Sequence, residues 1–194
     1  MNLENTGLCK YMDNRKWIAL CSRTGTEIYS LAKKINRKPD LLIYYSNVKH
    51  DLIPEIKLDP EIKIVYLSRR PETETYKKYL GTPGSSLITL HGWMYIIPEG
   101  ICTLYDIVNL HPGDIVTFPE LKGKDPQQKA YELNLPTSGA VIHKVIPEVD
   151  EGTIYSVSDK VNIQGLSLEE VYKKLRKVSI DLWVDYFKLN KLCN

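Results

Sequence analysis

The chain has 194 residues, 43% of them hydrophobic, and 26 Lys plus Arg set against 24 Asp plus Glu leave a formal charge of +2. That is the size and make-up of one ordinary globular domain, and its interspersed charges exclude the dense basic surface of a protein built mainly to hold nucleic acid. The longest apolar runs, Ile18 to Cys21 and Leu41 to Tyr45, fall far short of the roughly 20 residues that span a bilayer, so no membrane partner is expected. The start, Met1 to Lys16, is polar and carries Glu4, Asp13 and Asn14 where a secretory signal needs a basic stretch and an apolar block, which points to a cytoplasmic protein. Cys9, Cys21, Cys102 and Cys193 form no CxxC pair, and His50, His91, His111 and His143 have no ligand spacing on a helix, so reduced thiols and no metal are expected.

Short β-rich runs alternate with helix-like segments, the pattern of βαβ units and a mostly parallel sheet with helices on both faces. Trp17 to Cys21 reads as a buried strand, Ser22 to Thr26 as a tight turn and Glu27 to Ile35 as a helix. Leu41 to Tyr45 and Lys63 to Leu67 are apolar runs suited to strands covered on both faces, joined by an irregular link. Pro71 to Leu80 reads as a helix with Pro71 at its first position. Leu87 to Leu90 and Ile107 to Leu110 are strands flanking a short helix, Glu99 to Leu104, that Pro98 starts. Pro112 to Asp125 is too long for a tight connection and reads as a functional loop, followed by a helix over Gln127 to Leu133. Gly139 to Val145 and Thr153 to Val157 read as two further strands. In the last helix Ser167 and Glu170 form a capping box, and Leu168, Val171, Leu175, Val178 and Leu182 make its core stripe. Its other face, with Lys173, Lys174, Arg176 and Lys177, reads as a solvated surface, a polyanion site being the alternative. One domain over 1–194 is expected, its core at about 16–187.

Asn109, His111 and Asp150 are the polar residues that stand out for chemistry. Asn109 and His111 lie two apart at a strand's end, which puts both side chains on one face, and ligands of open parallel sheets bind outside the carboxyl ends of strands. An amide and a protonated imidazole there suit a developing oxyanion, with Asp150 placed to orient and charge the ring.

Around these residues the chain resembles the folate-dependent formyltransferases of the glycinamide ribonucleotide transformylase type, with their Rossmann-like formyltransferase fold. Ile107-Val108-Asn109-Leu110-His111-Pro112 is similar to that family's Asn-x-His-Pro strand end. Thr137 to His143, followed by Val149-Asp150-Glu151-Gly152, resembles its second signature, a Thr-Val-His strand and an Asp-x-Gly turn. His91-Gly92-Trp93-Met94-Tyr95-Ile96-Ile97 resembles the folate loop, Ser46-Asn47 a Ser-Asn turn, and Ser22-Arg23-Thr24-Gly25-Thr26-Glu27 the phosphate loop. The resemblance covers about Trp17 to Trp183 and implies transfer of a formyl group from 10-formyltetrahydrofolate to a primary amine, glycinamide ribonucleotide first among them, as in purine biosynthesis. It implies Asn109 and His111 as oxyanion donors, Asp150 as partner of His111, and no metal. It also implies a pterin site along Met94, Tyr95, Ile96, Ile97 and Val149, Arg70 for the folate glutamate tail unless it is a surface arginine, and an amine-substrate site at Arg23, Thr24, Gly25, Thr26 and Glu27. The partners implied are the small-molecule amine and the folate, with a monomer or homodimer expected.

The departures fall on the amine side. Arg23 stands for a Gly and Glu27 for an Asn at the start of a helix, where a carboxylate repels phosphate but complements the helix dipole. Ser179 stands where the family places a Glu near the ribose, and Gly113-Asp114-Ile115-Val116 replaces Ser-Leu-Leu-Pro, although Pro119, Leu121 and Gln128 to Ala130 still track the family. His143 matches a family histidine and reads equally as a buried core residue. The alternatives are a formyltransferase for another amine, such as an amino sugar nucleotide, and a non-catalytic folate- or nucleotide-binding relative. Methionyl-tRNA formyltransferases and formyltetrahydrofolate hydrolases are disfavoured by the extra domain each carries, and a nicotinamide enzyme by the missing G-x-G-x-x-G.

Overall fold

The computed structural model describes residues 15–46 and 51–191. Asn47, His50, Cys9 and Cys193 lie outside the described residues, as does most of the polar start. In chain order the strands are β1 (Lys16–Cys21), β2 (Leu41–Tyr44), β3 (Lys63–Tyr66), β4 (Ser86–His91), β5 (Ile107–His111), β6 (Thr137–Ser138), β7 (Val141–Lys144), β8 (Ile154–Val157) and β9 (Val161–Asn162). The helices are α1 (Thr26–Ile35), α2 (Pro54–Lys57), α3 (Thr73–Leu80), α4 (Glu99–Leu104), α5 (Pro126–Glu132) and α6 (Leu168–Leu189), with one 3-10 turn at Pro119–Leu121.

Seven strands form the main sheet in the order β3-β2-β1-β4-β5-β7-β8, parallel from β3 to β5 and antiparallel from β5 to β8. The two-residue period of a strand sends alternate side chains to opposite faces, and both faces are covered. Trp17, Ala19 and Cys21 of β1 pack with Ile28, Leu31 and Ile35 of α1 and Leu182, Trp183 and Phe187 of α6. Ile18 and Leu20 pack instead with Tyr76 and Leu80 of α3 and Ile101 and Cys102 of α4. A third cluster joins Ile115, Leu121 and Ala130 to Val141 of β7 and to Val171 and Leu175 of α6. The capping box of α6 forms as its sequence predicts, Ser167 Oγ accepting from the Glu170 backbone N–H and the Glu170 side chain from that of Ser167.

Three differences from the sequence reading have local causes. Pro71 is buried and the chain is still extended at Glu72, the N-cap, so α3 begins at Thr73 and Pro71 lies ahead of it. The run Gly139 to Val145 is preceded by a strand that was not expected and that belongs to another sheet. Thr137–Ser138 pairs with Val161–Asn162 in a small ribbon of its own, and the chain crosses to β7 at Gly139, where a Cβ would lie 2.8 Å from Ser158 Oγ. The irregular link between β2 and β3 contains a single turn, α2, behind Pro54.

Candidate active site

The loops after β1, β4 and β5 leave the sheet side by side. Cys21 pairs with His91 and Leu90 with Asn109, so the ends of these three adjacent strands define one carboxyl edge. Asn109 faces His143 directly across the antiparallel β5–β7 pair, and a register shift at Ile142/His143 falls beside it, where a bulge re-aims side chains.

Asp150 sits at the centre of the polar groups here. Its Oδ2 lies 3.1 Å from His111 Nδ1 and accepts from the Gly123 backbone N–H at 2.8 Å, and its Oδ1 lies 3.4 Å from His143 Nε2. The Asn109 amide Nδ2 is 3.1 Å from that same His143 nitrogen, so one connected set holds Asn109, His143, Asp150 and His111. Burial opposes ionisation of Asp150, but the hydrogen bonds from His111 and from the Gly123 backbone outweigh it and hold its carboxyl well below the ordinary carboxylate range. His111 Nε2 is 2.9 Å from the Leu121 carbonyl, so both its ring nitrogens face acceptors, and the doubly protonated ring satisfies both. His143 gives its Nδ1–H to the Lys144 carbonyl at 2.9 Å, which leaves Nε2 to accept from Asn109. The second hydrogen of the Asn109 amide is then available to a ligand, and Asn109 is the one residue of β5 that is not fully buried.

Backbone demands explain the loops that bring these groups together. Asp150 adopts a left-handed φ of 56° in the β7–β8 turn. At Gly152 a Cβ would lie 1.8 Å from the Lys144 carbonyl oxygen, so only glycine lets the turn close. Gly113 is similarly constrained, since a Cβ there would lie 3.2 Å from the His111 ring and 2.9 Å from Pro126. The departure at this position is thus what lets the long loop lie against the histidine.

The loop after β4 is anchored by alternate residues. Trp93 and Ile97 are buried in the α3/α4 core, while Met94 and Ile96 are exposed, as is Val149 on the β7–β8 turn. Ser22, which the sequence reading passed over as part of a turn, ties this loop to the one after β1, donating to the Gly92 carbonyl at 2.7 Å and accepting from Met94 N–H at 3.0 Å. Tyr95 packs against Tyr45 in a tilted pair, 4.8 Å between ring centroids, and the Arg70 guanidinium lies 6.0 Å from the Tyr95 ring centre, which brings Arg70 to this loop. Arg23 lies along Gly92 with Nη2 3.7 Å from Met94 Sδ, so it too leans toward the β4 loop. Thr24 and Thr26 bond each other's hydroxyls at 3.3 Å, and Gly25, with φ +76°, is covered by Leu52.

Glu27, the second residue of α1, belongs to a different set. Its Oε1 accepts from Trp183 Nε1 at 2.9 Å and from His91 Nδ1 at 2.6 Å. His91 Nε2 is 2.8 Å from Thr89 Oγ1, which itself accepts from Trp17 Nε1 at 2.8 Å. Thr89 is fully buried, so its O–H needs an acceptor, and the lone pair of His91 Nε2 is the one in reach. An imidazolium would strand that hydroxyl at a cost of about 1–3 kcal/mol. The bonding therefore describes a neutral His91 and a chain of donors ending on a negative Glu27. Ser179, one turn before Trp183 on the same face of α6, is buried with no hydrogen-bond partner for its Oγ. Among the described residues no group of three or more His, Cys, Asp or Glu side chains is arranged to hold a metal ion, and no helix is long and apolar enough to cross a membrane.

The sequence reading named Asn109, His111 and Asp150 and left His143 between core and function; the cross-strand register places it among them. It missed the His91–Glu27–Trp183 contacts, whose members stand up to 156 residues apart. It also missed the Leu121 carbonyl and the Gly123 N–H, which as backbone atoms leave no residue-type signal.

A twisted, mostly parallel sheet with helices on both faces and a polar cluster at its carboxyl edge defines an α/β protein with a Rossmann-like site. The formyl transferase family profile matches residues 31–186, and the chain belongs to that family of formyl-transferring enzymes. It is 30% identical over 114 residues to a phosphoribosylglycinamide formyltransferase of Dictyostelium discoideum, an alignment that spans 53% of this chain and about half, 54%, of that relative. Two solved structures share the fold. Phosphoribosylglycinamide formyltransferase from Anaplasma phagocytophilum superposes with a TM-score of 0.75 at 21% identity, covering 91% of this chain and 87% of that one. The enzyme from Bacillus halodurans gives 0.70 at 21% identity, covering 92% and 93%.

Proposed function

We propose that the protein transfers a formyl group from 10-formyltetrahydrofolate to a primary amine at the Asn109–His111–Asp150 site, glycinamide ribonucleotide being the acceptor to which its relatives' names point. One observation carries the reading: a buried, ionised Asp150 lies 3.1 Å from His111 Nδ1, beside an Asn109 amide with a hydrogen to spare. In the reaction the amine nitrogen attacks the formyl carbon. The carbonyl oxygen becomes an oxyanion and takes hydrogen bonds from Asn109 Nδ2–H and from His111 Nε2–H, replacing the Leu121 carbonyl as the latter's acceptor. Asp150 keeps the imidazolium charged throughout, and a water it holds carries the proton shed by the attacking nitrogen toward N10 of the folate as the C–N10 bond breaks. Exposed Met94, Ile96 and Val149 offer the apolar surface a pterin needs, Tyr95 and Ile97 complete its loop, and Arg70 beside Tyr95 suits a folate carboxylate.

The test follows the absorbance change on incubation with 10-formyl-5,8-dideazafolate and glycinamide ribonucleotide, with Asn109→Ala and His111→Ala alongside. Each substitution is expected to lower kcat by about 10²–10³-fold, the scale of a lost oxyanion donor, while folate-analogue binding persists. Equal turnover in parent and His111→Ala would reject the site. Folate binding without turnover on any amine would leave a binding protein in its place.

A further inference from the structure

The first turn of α1 opens onto the carboxyl edge of the sheet, where helix N–H groups ordinarily attract an anion. Here the chain supplies that anion itself. Glu27 Oε1 is held from two elements, by His91 of β4 and Trp183 of α6, and the neutral His91 leaves the carboxylate charge uncancelled. No other described residue bonds Oε2, and the Glu27 side chain is 30% exposed, so the acid presents a free acceptor edge to solvent. The cation that could offset it is turned elsewhere, since Arg23 lies on Gly92 and reaches Met94, with no ion pair to Glu27. Buried Ser179 on the same face of α6 as Trp183 adds a hydroxyl that none of the described residues satisfies.

We infer that the acceptor end of this site takes an unphosphorylated primary amine that presents hydroxyl or ammonium donors to Glu27, and that Glu27 is the residue that turns phosphate monoesters away. The inference rests on the formyl-transfer reading but replaces its phosphorylated acceptor, glycinamide ribonucleotide, with an unphosphorylated amine. A phosphate there would meet a carboxylate fixed by two hydrogen bonds and half-withdrawn from water, and like charges a few ångströms apart repel. A hydroxyl or ammonium in the same place donates to the open Oε2.

Glycinamide ribonucleotide and its dephosphorylated ribonucleoside, assayed with 10-formyl-5,8-dideazafolate, separate the two. The parent is expected to favour the ribonucleoside in kcat/KM by at least about tenfold, and Glu27→Gln, which keeps an acceptor for His91 and Trp183 but removes the charge, to cut that preference by at least about tenfold. A parent that prefers the ribonucleotide, or a Glu27→Gln selectivity ratio equal to the parent's, overturns the inference and makes Glu27 a dipole-complementing residue alone. Quenching of tryptophan fluorescence on titration with inorganic phosphate decides the matter without turnover: no response in the parent and saturable binding in Glu27→Gln support it, and binding by the parent overturns it. Failure of formyl transfer with every amine rejects the proposed activity instead, and the phosphate titration still stands.

Discussion

Asp150 is where the chemistry and the stability of the protein meet. Its carboxyl is depressed below the ordinary value of 3.8, against the pull of burial, because the His111 imidazole and a backbone N–H favour its charged form. A depressed folded-state pKa gives stability that is fully present above the unfolded value and is lost as pH falls below it toward the folded one. The excess unfolding free energy of the parent over Asp150→Asn should therefore be constant above about pH 5 and shrink below about pH 4, as urea unfolding at several pH values would reveal. In the same variant the carboxamide no longer compensates a His111 imidazolium, and kcat should fall by about 10²-fold or more. A difference in stability that does not change with pH would mean that Asp150 is not the ionised partner. Gly152 carries a backbone demand two residues on. Gly152→Ala places a methyl inside the van der Waals radius of the Lys144 carbonyl, and its relief must open the β7–β8 turn that presents Asp150. A loss of about 2–4 kcal/mol is expected in urea unfolding, with activity falling alongside.

At the scale of elements, α6 joins the two halves of the molecule, and its start depends on one side chain. Ser167→Ala removes the hydroxyl that accepts from the Glu170 N–H, leaving only the reciprocal backbone bond to the Glu170 carboxylate, and should cost about 1 kcal/mol, or roughly 2–4 °C in Tm for a chain of this length. Ser167→Asp, which keeps an acceptor for the Glu170 N–H, should recover most of it in a thermal melt. This cap could be read directly from the sequence because both partners lie within one turn. So could β1, whose apolar run Trp17–Cys21 matches burial on both faces, and α1, whose Ile28, Leu31, Ala32 and Ile35 follow the helical period. The division of residues 137–145 between two sheets could not, since local β propensity is the same on either side of Gly139 and only contact with Ser158 decides where the chain crosses. The site divides likewise. Asn109 and His111 declared themselves by their spacing on a strand, whereas His143 joined them through an antiparallel register and a bulge that no local pattern specifies. The Glu27–His91–Trp183 set is more distant still, because it assembles only after β4 has been inserted between β1 and β5 and α6 has folded back over α1.

Over the whole molecule, the same layering that hides the sheet hides its thiols. Cys21 ends the interior strand β1, and burial pushes its thiol up to about 11, with hydrogen bonds to the Arg23 and Gly25 backbone opposing that only in part. Cys102, on α4 and so on the other face, is raised in the same direction by its burial. Thiolate is the reactive form, so at neutral pH both are protected twice, by access and by ionisation. Each therefore reports the opening of one face of the sheet. With Cys9 and Cys193 replaced by Ser, the remaining thiols should react with an aromatic disulfide reagent at least about 10²-fold more slowly in the native protein than in denaturant. If the sheet with its two helical layers unfolds as one unit, Cys21 and Cys102 should become labelled at a single rate as urea is raised, that rate following global unfolding. Labelling of Cys102 well before Cys21, read by mass spectrometry of the labelled peptides, would show instead that the α3/α4 layer detaches while β1 stays sealed beneath α1 and α6. The β4 loop takes its anchors, Trp93 and Ile97, from that α3/α4 layer, so such early opening would also loosen the folate side of the proposed site before the acceptor side.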